Sequence, residues 1–347
     1  MTCRSRRLVL VLTALGLGAL ARLVARRRAE LASVAPELRS PIVLLPVHVT
    51  GPRVLALARQ GIARPVPVPA TVAIRSERVP ADAASGPHGA SDGVRVVLYE
   101  GGDRTRPRPA VVWIHGGGTI MGIPEQSHDA VARTAEAVGA LVVSVDYRLA
   151  PEHPFPAALE DCWAALVWLA DHADDLGVDR GRIAIGGDSA GGLLAASLAQ
   201  LARDRGGPAI AFQALVYPML DDRTVLRGEP DRTTRVWTHR SNAYAWTAYL
   251  GHAPSADPER PYAAPARTED LAGLPPAWIG VGDLDLFLEE DLEYAARLQA
   301  AGVACEVHVE PGMYHGADAL FPSRPSMRAF RARADGALRA AIGEVAP

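Results

Sequence analysis

From about residue 71 onward the chain alternates short β-branched runs with amphipathic stretches of helical period, a pattern that few architectures accept. Strands are expected at 71–78, 94–100, 110–115, 140–145, 182–186, 210–216, 277–281 and 304–309. Helix-period stretches fall at about 128–138, 157–171, 190–203, 288–301 and 325–341. Strands separated by helices form βαβ units, so the expected class is α/β with a mostly parallel, eight-stranded sheet flanked by helices. The first two strands are joined only by the loop 80–93, rich in Gly, Ser and Pro, and should pair antiparallel. Two helix-like pieces, Glu30–Leu38 and Gly51–Gln60, come earlier, and the stiff connector Arg64-Pro-Val-Pro-Val-Pro69 links them to the alternation.

One stretch interrupts the pattern. Residues 218–275 hold no strong strand but carry Trp237, Tyr244, Trp246, Tyr249 and several prolines. That is long for a connection within a domain, and excursions of this kind usually cover a site.

Composition removes several chemistries. The 347 residues are 49% hydrophobic and 22% charged, ample for a core, and the net charge of −3 offers nucleic acid no electrostatic footprint. All 36 basic residues are Arg. Without Lys there is no P-loop, no pyridoxal Schiff base and no Ser–Lys hydrolase. The cysteines, Cys3, Cys162 and Cys305, are too few and too scattered for a disulfide framework or a metal knuckle, and Cys162 and Cys305 are expected as small buried residues.

Residues 8–25 form an apolar run between Arg4, Arg6 and Arg7 on one side and Arg26, Arg27 and Arg28 on the other. A signal peptide, a spanning helix, an amphipathic helix lying on anionic lipid and a packing helix all compete for it. The triple Arg downstream opposes export, and Arg22 interrupts the span. The expected location is cytoplasmic or membrane-associated, with any membrane contact made through residues 4–28.

The chemistry concentrates in Ile183-Ala-Ile-Gly-Gly-Asp-Ser189-Ala-Gly-Gly192, where a strand turns sharply into a helix. Gly187-Asp-Ser189-Ala-Gly191 fits the G-x-S-x-G pattern, in which glycines let a strained turn project a nucleophilic serine. The following helix directs its first N–H groups at a developing oxyanion. Gly89-Ala-Ser91-Asp-Gly93 fits the same pattern, yet it lies in a polar loop that leads into a strand. Ser91 is read as a turn residue and Ser189 as the nucleophile.

A second strand, Ala110–Ile114, runs through His115 into Gly116-Gly-Gly118. Consecutive glycines let backbone N–H groups turn inward, so Gly116, Gly117 and Ala190 are the candidate oxyanion donors, with His115 holding the loop locally. G-x-G-x-x-G spacing is absent, which argues against a dinucleotide loop. For a nucleophile followed by its acid and then its base, four histidines lie downstream of Ser189. His239 and His252 fall in the excursion, and His308 lies within a strand. His315 occupies the loop Pro311-Gly-Met-Tyr-His-Gly316 beyond that strand, which makes it the candidate base. The acid belongs to Gly282-Asp-Leu-Asp285-Leu-Phe287, where spacing does not separate Asp283 from Asp285. No further His or acid stands at ligand spacing, so no metal is expected.

Together these segments resemble the hormone-sensitive-lipase-like family of α/β-hydrolase carboxylesterases, which includes many bacterial esterases. The resemblance runs through His115-Gly-Gly-Gly118, Asp146-Tyr-Arg-Leu-Ala-Pro-Glu-His153, Gly187–Gly192, Asp285–Phe287 and His315-Gly316, and spans roughly residues 70–340. It implies an α/β-hydrolase fold with a helical cap. In that family the acid stands about nine residues before a helical Tyr, and counting back from Tyr294 selects Asp285; Phe287 replaces the family's usual Leu. The Tyr147–His153 stretch is implied to support the oxyanion loop. The implied division is an apolar N-terminal helix (1–28), an N-terminal cap part (29–69), a catalytic domain (70–217 and 266–347) and a cap insertion (218–265).

The expected activity is hydrolysis of small esters with short to medium acyl chains through Ser189, Asp285 and His315, without metal or organic cofactor. Trp237 and Trp246 are candidates for lining the acyl pocket. An amidase, lactonase or acyltransferase could use the same triad. A non-catalytic small-molecule receptor is the rival from another class, although receptors similar to this family lack the histidine that is present here as His315.

Overall fold

The computed structural model describes residues 31–40, 43, 48–62, 72–80, 92–101, 107–228 and 234–343. The strands are β1 (Ala73–Val79), β2 (Val94–Glu100), β3 (Arg108–Ile114), β4 (Leu141–Asp146), β5 (Val178–Asp188), β6 (Phe212–Val216), β7 (Ala277–Gly282) and β8 (Cys305–Glu310). They form one eight-stranded sheet in the order β1-β2-β4-β3-β5-β6-β7-β8. As expected β1 pairs antiparallel with β2, and β2 also runs antiparallel to β4; every pair from β4–β3 to β7–β8 is parallel.

Alternate side chains of the inner strands feed two separate cores. In β2, Val96 and Leu98 join one core while Val97 and Tyr99 join the other. The first core is closed by α3 (Ala157–Asp171) and α5 (Ala190–Arg205), through residues such as Leu166, Leu169, Leu194 and Leu198. The second is closed by α2 (His128–Val138) and α9 (Pro325–Ile342), through Val131, Ala135, Phe330 and Leu338. All seven residues of the central strand β3 are buried, as double coverage demands.

The remaining helices are α1 (Pro52–Ile62), α4 (Ala173–Leu176), α6 (His239–Leu250), α7 (Leu288–Ala300) and α8 (Ala317–Leu320). In the described part of the stretch expected as a helix over Glu30–Leu38, Leu31 and Ala32 are helical and, after a bend, Pro36–Leu38 form a 3₁₀ turn that starts at Pro36, where the chain has no N–H to donate. The strand expected at 182–186 extends to Val178–Asp188. Cys162 is buried, but Cys305 is only half-buried, because it begins β8 at the open edge of the sheet.

Residues 218–275 contain a 3₁₀ segment (Asp222–Arg227), α6 and a second 3₁₀ turn (Pro265–Arg267), with no strand among the described residues. The segment is tied to the N-terminal part of the chain at the start of α6. Ser241 Oγ accepts the Val49 amide at 3.0 Å, and His48 Nδ1 lies 2.9 Å from Thr238 Oγ1. Among the described residues no helix is long and apolar enough to cross a membrane. The apolar run 8–25 and Ser91 lie outside the described residues.

Candidate active site

Ser189 stands at the turn between β5 and α5 with φ 55° and ψ −116°, a region that a residue with a side chain occupies only when its surroundings enforce it. The turn is held by its own backbone: the Ser189 amide donates to Val216 O at 2.8 Å and the Ser189 carbonyl accepts from Met219 at 3.1 Å. A Cβ on Gly191 would come within 1.9 Å of the Ile114 carbonyl oxygen, so only glycine lets β3 and α5 approach this closely. Ala190 is the first residue of α5, and its N–H therefore has no acceptor within the helix.

His315 lies in the loop between β8 and α8 and bridges two partners. Its Nε2 is 2.9 Å from Ser189 Oγ, and its Nδ1 is 2.9 Å from Asp285 Oδ2 and 3.1 Å from Oδ1. Asp285, in the loop after β7, also accepts the Phe287 amide at 3.0 Å, which fixes its carboxylate plane. Ser189, Asp285 and His315 are each less than a tenth exposed, so water competes little for these bonds. With a carboxylate at Nδ1, the neutral imidazole carries its proton there and presents the Nε2 lone pair to Ser189. The neighbouring Asp283 has other work: its Oδ1 accepts the Gly312 amide at 2.7 Å, which ties the acid loop to the histidine loop.

The glycine loop after β3 lies against the serine turn. The Cβ position of Gly116 falls 3.4 Å from Ser189 Cβ. Gly118 has φ 63°, and a Cβ there would strike the Trp237 indole at 2.3 Å. His115 supports the loop from below. Its Nδ1 is 2.8 Å from Gly116 O, and its ring stacks on Tyr147 with centroids 4.2 Å apart. Burial pushes its pKa down to about 4, so it is neutral near pH 7, and Nδ1–H is the donor to Gly116 O. Tyr147 in turn donates to the His115 carbonyl at 2.9 Å, and the Ala150 amide donates to Thr119 O at 2.9 Å. The stretch 147–153 thus braces the loop, as the motif resemblance implied.

Aromatic rings surround His315. Tyr217 and Phe287 meet it edge-on at 4.7 Å and 5.2 Å, and Trp237 is tilted against it at 6.3 Å. Trp237 therefore reaches both His315 and the glycine loop. Trp246 is fully buried in the core, with its ring 5.9 Å from that of Tyr249. His308 pairs with Glu310 at 2.8 Å, His239 lies 2.9 Å from the Val225 carbonyl oxygen, and His252 is 3.2 Å from Glu259. Among the described residues no group of His, Cys, Asp or Glu is arranged to hold a metal ion.

Sequence reasoning missed one feature of the site, a buried polar cluster behind it. Arg331 of α9 pairs with Asp188 at 2.6 Å and with Asp318, and Tyr217 donates to Asp318 at 2.8 Å. Burial raises the Asp188 pKa above the usual carboxylate range, and the Arg331 charge opposes that rise. The motif around Ser189 names Asp188, but nothing local marks Arg331 or Tyr217 as its companions.

The alpha/beta hydrolase fold family matches residues 111–319. Esterase LipI of Mycobacterium tuberculosis is 46% identical over 211 residues, covering 60% of this chain and 65% of that protein. Carboxylic ester hydrolase LipN of the same organism is 40% identical over 244 residues, covering 68% of this chain and 64% of that protein. The chain thus spans just under two thirds of the length of these relatives. Among solved structures, a bacterial heroin esterase superposes with a TM-score of 0.80 at 34% identity, covering 90% of this chain and 99% of its own. Esterase LipW from Mycobacterium marinum gives a TM-score of 0.78 at 33% identity, covering 90% of this chain and 96% of its own. With the motifs, the sheet order and these likenesses in agreement, the chain belongs to the α/β hydrolase fold family, in its hormone-sensitive-lipase-like branch.

Proposed function

We propose that the protein is a serine carboxylic-ester hydrolase that works through an acyl-enzyme formed on Ser189. The observation that carries this reading is the unbroken hydrogen-bonded relay from Ser189 Oγ through both nitrogens of His315 to the Asp285 carboxylate. Its likeness to proteins named as esterases adds support from a separate direction.

In the first step Ser189 Oγ attacks the ester carbonyl as its proton passes to His315 Nε2. Asp285 stabilises the imidazolium and holds it in place. The carbonyl oxygen becomes an oxyanion facing the Gly116, Gly117 and Ala190 N–H groups, and losing one such donor costs about 2.7–4 kcal/mol of transition-state stabilisation. The imidazolium then gives its proton to the departing alcohol oxygen as the C–O bond breaks. In the second half His315 takes a proton from water as the water attacks the acyl carbonyl, and then gives that proton to Ser189 Oγ as the acyl C–Oγ bond breaks, releasing the acid and the free serine. Every step is served by side chains and backbone of this chain. Trp237, set against Gly118 and beside His315, would bound the acyl group, and the family resemblance favours short- to medium-chain esters.

Hydrolysis of p-nitrophenyl esters from acetate to palmitate, with wild type beside Ser189→Ala, tests the reading. Turnover that peaks at short chains and disappears in Ser189→Ala is expected. Activity that survives Ser189→Ala would overturn the nucleophile. Turnover of amides or lactones in preference to esters would shift the reading to an amidase or lactonase with the same triad. Tight binding of a small molecule without turnover would favour a receptor.

A further inference from the structure

We propose that Arg331 is a positioning residue that fixes the nucleophile turn and the base loop relative to one another; this rests on the Ser189–His315 reading above. In the sheet, β5 and β8 are separated by β6 and β7, so no ladder bond joins the strand that carries Ser189 to the strand that leads to His315. Arg331 supplies a direct tie. Its Nη2 is 2.6 Å from the carboxylate of Asp188, the residue immediately before Ser189. Its Nε donates to Asp318, three residues beyond His315 in α8. The same Nη2 donates to Tyr217 Oη at 3.3 Å, and Tyr217 donates to Asp318 at 2.8 Å while its ring meets the His315 imidazole edge-on.

One planar fork therefore touches three walls of the site without reaching the reacting atoms. The rigid donors of a guanidinium suit this geometry, because two carboxylates on different loops must keep a fixed separation. The cluster is deep: the side chains of Arg331, Asp188 and Asp318 are 14%, 11% and 0% exposed. A pair at the surface would tolerate loop drift, but this one passes movement of either loop to the other. A helix tethered only for stability would need one of these contacts. The convergence on Asp188, Asp318 and Tyr217 points to alignment of the proton transfer.

The test uses the full chain and four forms: wild type, Arg331→Met, Arg331→Lys, and the triple variant Arg331→Met with Asp188→Asn and Asp318→Asn. The triple variant leaves no unpaired charge buried, so it separates alignment from the cost of orphaned carboxylates. Steady-state hydrolysis of p-nitrophenyl butyrate, the rate of Ser189 acylation by a fluorophosphonate and the melting temperature are read together. Arg331→Met and the triple variant should lose about 10- to 100-fold in kcat and in acylation rate, with KM within about twofold of wild type. The triple variant should melt closer to wild type than Arg331→Met while staying slow, and Arg331→Lys should fall between Met and wild type in kcat. A triple variant with wild-type kcat, or an Arg331→Lys variant as fast as wild type, would overturn the proposal. Where Arg331→Met and the triple variant do not fold, Arg331→Lys decides alone. Ser189→Ala is run on the same ester: residual turnover there sinks the nucleophile reading, whereas a dead Ser189→Ala beside a fast triple variant sinks only the role of Arg331.

Discussion

Asp283 and Asp285 leave the same turn after β7 but serve different partners: Asp283 takes the Gly312 amide at 2.7 Å, and Asp285 takes His315 Nδ1 at 2.9 Å. One carboxylate sets the distance between two loops, and the other sets the tautomer of His315. The two should therefore fail differently when neutralised. Asp285→Asn should lower kcat by about 10⁴-fold, because an amide can hold the wrong tautomer. Asp283→Asn should cost no more than about tenfold, with its main effect on melting temperature, since only one loop contact weakens. Kinetics and thermal melts on the two variants decide it, and a reversal of the two would move the triad acid to Asp283.

His115 makes the stability of the fold sensitive to acid. Its folded pKa is pushed down to about 4 by burial, whereas the unfolded residue titrates near its ordinary value of 6.5. The unfolded chain therefore binds this proton first as the pH falls. Stability present above about pH 6.5 is lost progressively down to about pH 4, by up to about 3 kcal/mol from this residue. Urea midpoints between pH 8 and pH 4 should fall more steeply for wild type than for His115→Gln. Parallel curves would show that His115 is not the group responsible.

Trp237 should set the size of the group that the site accepts. Its indole closes on Gly118 and lies 6.3 Å from His315. Trp237→Ala should raise the ratio of kcat/KM for p-nitrophenyl octanoate over butyrate by roughly tenfold, the scale on which pockets discriminate methylenes. An unchanged ratio would place the acyl group away from this wall.

Gly191→Ala probes the strand–helix contact under Ser189. The added carbon would fall 1.9 Å from the Ile114 carbonyl oxygen, a backbone atom that cannot rotate away. The variant should lose at least about 1–3 kcal/mol of stability and most of its turnover, because relief requires moving the serine turn. Ser91→Ala should leave turnover intact, in contrast to Ser189→Ala. Wild-type activity in Gly191→Ala would show that the turn has slack.

Much of the fold was legible because the period of the hydrophobic pattern changes at each element, and every expected strand has a counterpart in the sheet. Ends were less legible. The start of β5 pairs with Arg108 across a register shift, which no local pattern announces. The Glu30–Leu38 stretch carried helical spacing, yet in its described part the helix covers only Leu31 and Ala32 before a bend and the 3₁₀ turn Pro36–Leu38. Cys305 looked like a core residue because burial at an edge strand depends on neighbours, not on the strand's own sequence. Within the site, Ser189 and His315 were legible because glycines and loop position mark them. Asp283 and Asp285 were not separable from spacing, because the same side chain occurs twice in one turn and only its partner differs. Arg331 left no trace at all: it is one of several arginines on an amphipathic helix, and its role depends on two carboxylates more than a dozen positions away or further.

The sheet gives the site a measure of accuracy that no single loop could supply. A row of paired positions crosses it from Asp188 to Val216, from Val216 to Gly280 and from Gly280 to His308. Ser189 follows the first of these, Asp285 the third and His315 the last, so the spacing of the relay is the sum of three ladders. A slip of one residue in any of them would shift a strand by about 3.3 Å, more than the whole length of the bond between His315 and Ser189, and would turn its side chains to the opposite face. The distance between Ser189 and His315 is thus calibrated by the backbone of four strands.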